Sequence, residues 1–165
     1  MKEGNYMKHP YYEMIHLVER LHRQFLDLLK IELERRGVQD INNIQSLILY
    51  NVGEDELTVG ELTARGYYLG SNVSYNLKKL VEAGYLKQER SKHDRRSIRV
   101  SLTDKGRELC EVLDEVFTGH IDRITESGFS LEELPETMEA LRRLERFWTS
   151  QLGFVSAPFS APRVA

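Results

Sequence analysis

Residues 70–103 constrain this chain more than any other stretch, because they combine a helical pattern with a basic hairpin. Aliphatic residues at helical spacing predict a helix with one buried face. They are Val73, Leu77, Leu80 and Val81. Ser71 is a candidate N-cap and Gly84 a stop signal, so the helix is expected over residues 71–83.

The opposite face of this predicted helix is polar and available for contact with a partner. It carries Asn72, Tyr75, Lys78 and Lys79. Two strands are predicted next, at residues 85–90 and 98–102, joined by a charged tip at residues 92–96. In the second strand the apolar residues alternate with polar ones, so one buried face is expected with Ile98, Val100 and Leu102 on it. A helix of this kind can enter the major groove of a duplex while a basic hairpin contacts the neighbouring backbone. The segment therefore predicts a DNA-binding element.

The charge of the chain is distributed unevenly. The segment from Arg65 to Arg107 contains eleven Lys/Arg and four Asp/Glu, a net charge of +7, although the whole chain carries −3. Surface charge scattered by chance is the alternative explanation. Because the basic segment coincides with the predicted helix and hairpin, we favour contact with an anionic partner.

Two further helices are expected before this segment. Residues 44–52 read as a short helix, and Thr58 with Glu61 matches a capping box that opens another short helix ending at Gly66. Two short helices joined by a tight connection form a helix-turn-helix, with residues 71–83 in the recognition position. The predicted fold class is therefore mainly α with a small β-hairpin.

The remaining helices flank this lobe. Residues 12–36 are apolar on two sides of a predicted helix, and a domain of this size has one core, so the second side is expected to meet another subunit. Helices are also predicted at residues 104–126 and 135–152. We therefore expect four regions in the chain: an N-terminal tail and dimerisation helix (1–36), the DNA-binding lobe (37–103), C-terminal dimerisation helices (104–152) and a disordered tail (153–165).

Several function classes find no support in the sequence. One cysteine, Cys110, precludes an intramolecular disulfide, and five histidines form no metal-binding spacing, so no metal or cofactor is expected. No nucleophile, base and phosphate loop combine into a catalytic motif, which favours a protein that is not an enzyme. The start of the chain lacks a secretory signal and no apolar run spans a bilayer, so a cytoplasmic protein without membrane contact is expected.

Residues 94–106, DRRSIRVSLTDKG, resemble the wing of the MarR family of bacterial winged-helix transcription regulators, which reads D-R-R followed by L-T-x-x-G. Residues 77–86 also match that family, and the order of helices agrees over residues 10–152. Residues 66–77 are most similar to a branch of the family that controls L,D-transpeptidase genes.

The resemblance implies which residues contact double-stranded DNA. On the recognition helix they are Ser71, Asn72, Ser74, Tyr75, Lys78 and Lys79, and on the wing Lys92, Arg95 and Arg96. Asp94 would shape the tip of the wing. Tyr75 stands where many family members have arginine.

The resemblance also implies a homodimer on a pseudo-palindromic operator, with half-sites about 10 base pairs apart. A small aromatic or phenolic effector would alter the affinity for DNA, and the family includes both repressors and activators. Two alternatives stay open: a redox-responsive regulator acting through Cys110, and a winged helix that binds protein instead of DNA.

Overall fold

The computed structural model describes residues 9–66, 70–90 and 98–152, with the side chains of residues 66, 70 and 71 left out. The chain divides into two compact units whose boundary falls within one helix, between Ile48 and Leu49.

The first unit is built on a long helix, α1, which spans Pro10–Arg35. Proline suits a first helical position because its missing N–H would have no partner there. The chain leaves the helix at Gly37, where φ is +77°. Leu29 and Leu33 are buried on this helix.

The second helix, α2 (Asn43–Val52), begins with a reciprocal cap. The Gln45 amide donates to the Asn42 side chain at 2.8 Å, and the Gln45 side chain accepts from the Asn42 amide at 3.0 Å. These bonds satisfy amides that a helix start leaves without partners. The Asn43 side chain also donates to the carbonyl of Leu26 at 2.7 Å, which ties α2 to α1.

The second unit contains the helix-turn-helix and a sheet. Its elements after α2 are β1 (Leu57–Thr58), α3 (Val59–Gly66), α4 (Gly70–Glu82), β2 (Leu86–Arg90) and β3 (Ile98–Leu102). The capping box is confirmed, because Glu61 accepts from the Thr58 amide at 2.7 Å while the Thr58 hydroxyl accepts from the Glu61 amide at 3.2 Å. Helix α3 contacts both β1 and α4.

The sheet is antiparallel with the order β1-β3-β2. Leu86 lies opposite Leu102 and Arg90 opposite Ile98, as in the predicted hairpin. The sequence did not predict β1, which pairs Leu57 with Val100. A two-residue strand carries too little alternation to be recognised by its pattern.

Two helices and a short 3₁₀ turn complete the fold: α5 (Asp104–Glu126), the turn at Leu131–Glu133 and α6 (Leu134–Gln151). The hydroxyl of Thr103 caps α5 by accepting from the Gly106 amide at 3.1 Å. Leu109, Leu113 and Val116 form the buried side of α5. By contrast, none of residues 134–151 is buried.

Two local predictions are wrong. Ile98 was expected on the buried face of the hairpin with Val100 and Leu102, but it is 47% exposed. It lies beyond the end of β1, which covers β3 only as far as Arg99. Helix α4 begins at Gly70, so Ser71 lies inside its first turn and does not occupy the capping position.

Candidate nucleic-acid interface

Helix α4 is held in one orientation by its aliphatic face. Val73, Leu77 and Leu80 are at most 1% exposed, and the helix contacts α3 and β2. Fully burying an aliphatic side chain contributes about 1.5–3 kcal/mol, so rotating the helix about its axis would be costly. The polar face must therefore point away from the core.

The site residues predicted on α4 share that polar face. Asn72, Ser74, Tyr75, Lys78 and Lys79 are all exposed. Tyr75 is the most informative of them, because 62% of a large aromatic residue lies in solvent without covering the core. The remaining predicted residues, Ser71 as a side chain and Lys92, Asp94, Arg95 and Arg96 on the wing, lie outside the described part of the chain.

Glu82, which the sequence analysis did not single out, sits beside both lysines of α4. Its carboxylate lies 2.9 Å from the Lys79 ammonium and 3.8 Å from that of Lys78. The hydrogen bond from Lys79 lowers the pKa of Glu82, and the same bond raises the pKa of Lys79. Both lysines are one turn or less from Glu82, a spacing that was visible in the sequence. A phosphate that approaches them must compete with this carboxylate.

The described strands of the hairpin add further exposed charge. Lys87 forms an ion pair with Glu89 at 3.5 Å on β2, and Arg90 is exposed at the strand end. Arg99 on β3 is partly exposed and lies opposite Glu89. Exposed positive charge therefore extends from α4 onto the strands of the hairpin.

Three cations of the basic segment serve the fold. Arg65 forms an ion pair with Asp55 at 2.6 Å, and Arg107 with Asp104 at the same distance. Lys105 lies over the ring of Tyr85, with its ammonium 4.0 Å from the ring centre. These three cations already have partners within the chain, so less positive charge is available to a ligand than the count of Lys and Arg suggests.

The surroundings of Cys110 oppose a reactive thiol. Burial, and to a smaller extent the nearby carboxylates of Asp114, Glu54 and Glu111, raise its pKa to about 11. The thiolate is the reactive species, so a raised pKa makes oxidation slow. The redox alternative loses support from this geometry.

The described residues offer neither a metal site nor a membrane-spanning helix. Among the described residues, no three His, Cys, Asp or Glu side chains form a group that could hold a metal ion. The described helices also include none that is long and apolar enough to cross a membrane.

Comparisons with known proteins agree with this architecture. Residues 41–106 match a family model described as a winged helix DNA-binding domain. The chain is 40% identical over 138 residues to the exopolysaccharide II synthesis transcriptional activator ExpG of Rhizobium meliloti, covering 84% of this chain and 71% of ExpG. Staphylococcus aureus MarR, solved with salicylate and kanamycin, superposes with a TM-score of 0.70 at 24% identity, covering 85% of this chain and 93% of that one. The chain belongs to the MarR family of winged-helix transcription regulators.

MarR-family membership explains the element order and excludes an enzymatic role, since the family consists of DNA-binding regulators. The fold recurs in Streptococcus pneumoniae FabT, solved in complex with DNA, with a TM-score of 0.70 at 21% identity over 86% of this chain and 99% of FabT. In this MarR-family chain, α4 occupies the second position of the helix-turn-helix, the position that a recognition helix takes.

Proposed function

We propose that this regulator binds a pseudo-palindromic operator as a homodimer in the cytoplasm, and that a small aromatic molecule alters its affinity. One observation carries the proposal: α4 buries Val73, Leu77 and Leu80 and directs its polar face outward, with Asn72, Tyr75, Lys78 and Lys79 exposed. FabT, which shares the fold, was solved with DNA. The wing residues Arg95 and Arg96 would contact the groove beside the one that α4 enters.

The homodimer is supported by apolar side chains that the single chain leaves in solvent. On α1, Leu17, Leu21 and Ile31 are 42–53% exposed. On α6, Leu141 and Phe147 are 49% and 52% exposed. Exposed apolar side chains at this density mark an interaction surface, and a second copy of the same chain provides a matching one.

The proposal of a small-molecule effector is supported by the resemblance to the MarR family and by one solved relative. Staphylococcus aureus MarR was solved with salicylate, a phenolic acid. A ligand that prefers one conformation of the dimer would shift the spacing of the two α4 helices and so change affinity for DNA. Salicylate is therefore the first effector to test.

The test combines DNA mapping with hydrodynamics. Immunoprecipitation of the protein with its bound genomic DNA should recover a small set of promoters that share an inverted repeat, with half-sites about 10 base pairs apart. Genes for L,D-transpeptidases among them would support the finer family placement. Sedimentation of the purified chain should give the mass of a dimer. Sedimentation of its complex with operator DNA should give two chains per operator.

A pair of variants on α6 isolates the dimer. Leu141→Glu introduces a charge on the exposed apolar side and should produce monomers with much weaker operator binding. Arg143→Ala changes the net charge by the same one unit on another side of the helix and should remain dimeric. Dimers of unchanged stability in Leu141→Glu would contradict this interface, and recovery of no specific DNA would contradict the proposed function.

A further inference from the structure

The exposed face of α4 has an unusual composition for a helix that contacts bases. Its 13 residues, GSNVSYNLKKLVE, include no arginine. A bidentate contact from arginine to guanine is the commonest specific contact in the major groove. This helix cannot make that contact.

Lysine can also bind guanine, but the two lysines of α4 are poorly placed for it. Residues in the N-terminal part of a recognition helix contact base edges, whereas Lys78 and Lys79 lie in its C-terminal half. Both also lie within 3.8 Å of the Glu82 carboxylate. They are suited to phosphate contact, which positions the helix without selecting a sequence.

The N-terminal half offers a different chemistry. Asn72 is exposed, and an asparagine amide matches the N6 and N7 edge of adenine. Tyr75, one turn later, presents an aromatic ring that is 62% exposed. The methyl group of thymine is the apolar feature of the major groove, and an aromatic side chain can pack against it. Adenine and thymine belong to the same base pair.

The neighbouring Asn76 has a structural role. Its side-chain amide donates to the carbonyl of Asn72 at 2.8 Å, one turn earlier. This bond holds the first turns of α4. Ser74 is also exposed, but a serine hydroxyl can bond several bases, so Asn72 and Tyr75 are the side chains best suited to select a base pair.

We propose that α4 selects A·T base pairs, with Asn72 bonding adenine and the Tyr75 ring packing on a thymine methyl group. This inference rests on the DNA-binding function proposed above and adds the base class to it. Specificity of this kind differs from a general affinity for DNA, which phosphate contacts supply.

The experiment begins with selection of bound duplexes from a random pool by the full chain. Half-sites with A·T pairs at the positions that α4 covers are expected. Replacing thymine by uracil at those positions removes only the methyl group. Fluorescence anisotropy should then show binding by the wild-type protein weakened about three- to fivefold, as expected for one lost methyl contact.

Tyr75→Ala provides the paired measurement. It should bind the thymine duplex as weakly as the wild type binds the uracil duplex, and should no longer distinguish the two. Because Tyr75 is exposed, the variant is expected to keep its fold, which circular dichroism checks. Glu82→Gln is the control, since it releases both lysines and should strengthen binding to every duplex alike without changing base preference.

Three results would overturn the inference. Selection of G·C pairs at these positions would refute it while leaving the DNA-binding function intact. Equal sensitivity of Tyr75→Ala and wild type to uracil would refute the role of Tyr75. Selection of no sequence at all would refute both the inference and the proposed function on which it rests.

Discussion

Gly106 lies so close to Tyr85 that no side chain can stand between them. A Cβ atom on Gly106 would overlap the carbonyl oxygen of Tyr85, at less than 3.0 Å, and would also lie 3.2 Å from the Leu102 side chain. Gly106 is the glycine of the L-T-x-x-G pattern. The pattern thus records a close approach between the start of α5 and the residue that precedes β2.

Replacing this glycine should destabilise the protein. Gly106→Ala must displace backbone, so we expect a loss of about 1–3 kcal/mol in the free energy of unfolding. Gly119→Ala, in the same helix but with nothing within 4 Å of its Cβ, should instead gain about 0.5–1 kcal/mol. Urea denaturation measures both, and equal stability of the two variants would contradict the close approach.

The capping box should make stability depend on pH. The hydrogen bond from the Thr58 amide lowers the pKa of Glu61, so its stabilisation is complete above the ordinary pKa of a glutamate and is lost as the pH falls through the lowered pKa. The stability difference between wild type and Glu61→Gln should therefore narrow on acidification. Thr58→Ala should cost about 1 kcal/mol, whereas Thr58→Ser keeps the oxygen and should cost less. A pH-independent difference for Glu61→Gln would contradict the capping geometry.

Tyr50 on α2 should titrate later than an ordinary tyrosine. Burial and a 2.6 Å hydrogen bond to Asp114 raise its pKa to about 12, and its ring meets Phe117 edge to face at 5.3 Å. Because the pKa of Tyr50 is raised in the folded protein, the stabilisation that protonated Tyr50 gives the fold is complete below about pH 10. It is lost as the pH rises toward 12. Carbon-13 NMR of labelled tyrosine rings measures the pKa.

Two variants separate the causes of that shift. Asp114→Asn should lower the pKa of Tyr50 without restoring the ordinary value, because burial is the larger cause. Tyr50→Phe should cost about 1 kcal/mol by removing the hydrogen bond while retaining the ring contact. A Tyr50 that titrates together with exposed tyrosines would contradict the described contact.

Cys110 should react slowly in the native protein. With a pKa of about 11, its thiolate fraction near neutral pH is small, so disulfide exchange with a coloured reagent should run at least about tenfold slower than in the urea-unfolded chain. Asp114→Asn should speed the native reaction modestly, because that carboxylate contributes to the raised pKa. Rapid native labelling, or operator binding that changes with peroxide in wild type but not in Cys110→Ser, would restore the redox alternative.

Local patterns predicted most of the fold. The helix of residues 104–126 and the strand of residues 98–102 have the predicted bounds, and the other helices differ by one or two residues at their ends. Glycines gave reliable ends, as at Gly37 and Gly84, where φ is near +78° and side chains are disfavoured. The strand β1 escaped prediction because two residues show no recognisable alternation, and the exposure of Ile98 escaped it because it depends on where β1 stops.

Local patterns also predicted part of the candidate interface, namely the exposed face of α4. Helical periodicity separates Val73 and Leu77 from the exposed Asn72 and Tyr75, so the outward face followed from spacing alone. The contact of Lys105 with Tyr85 depends on the approach of α5 to the residue that precedes β2, which no local pattern encodes. The assignments for DNA contact remain predictions that the experiments above test.

The bonds of Thr103 have a consequence for the order of folding. Its hydroxyl shares its one proton between the carbonyl oxygens of Gly84, at 2.7 Å, and Tyr85, at 3.1 Å, which are only 19 and 18 residues earlier in the chain. Closing so short a loop costs little chain entropy, so we expect β2, β3 and the first turn of α5 to form early. In the proposed homodimer, helix α6, with no buried residue, would gain its stability last and in step with protein concentration. A newly synthesised chain would then acquire the proposed DNA-contacting surface before it forms the proposed homodimer.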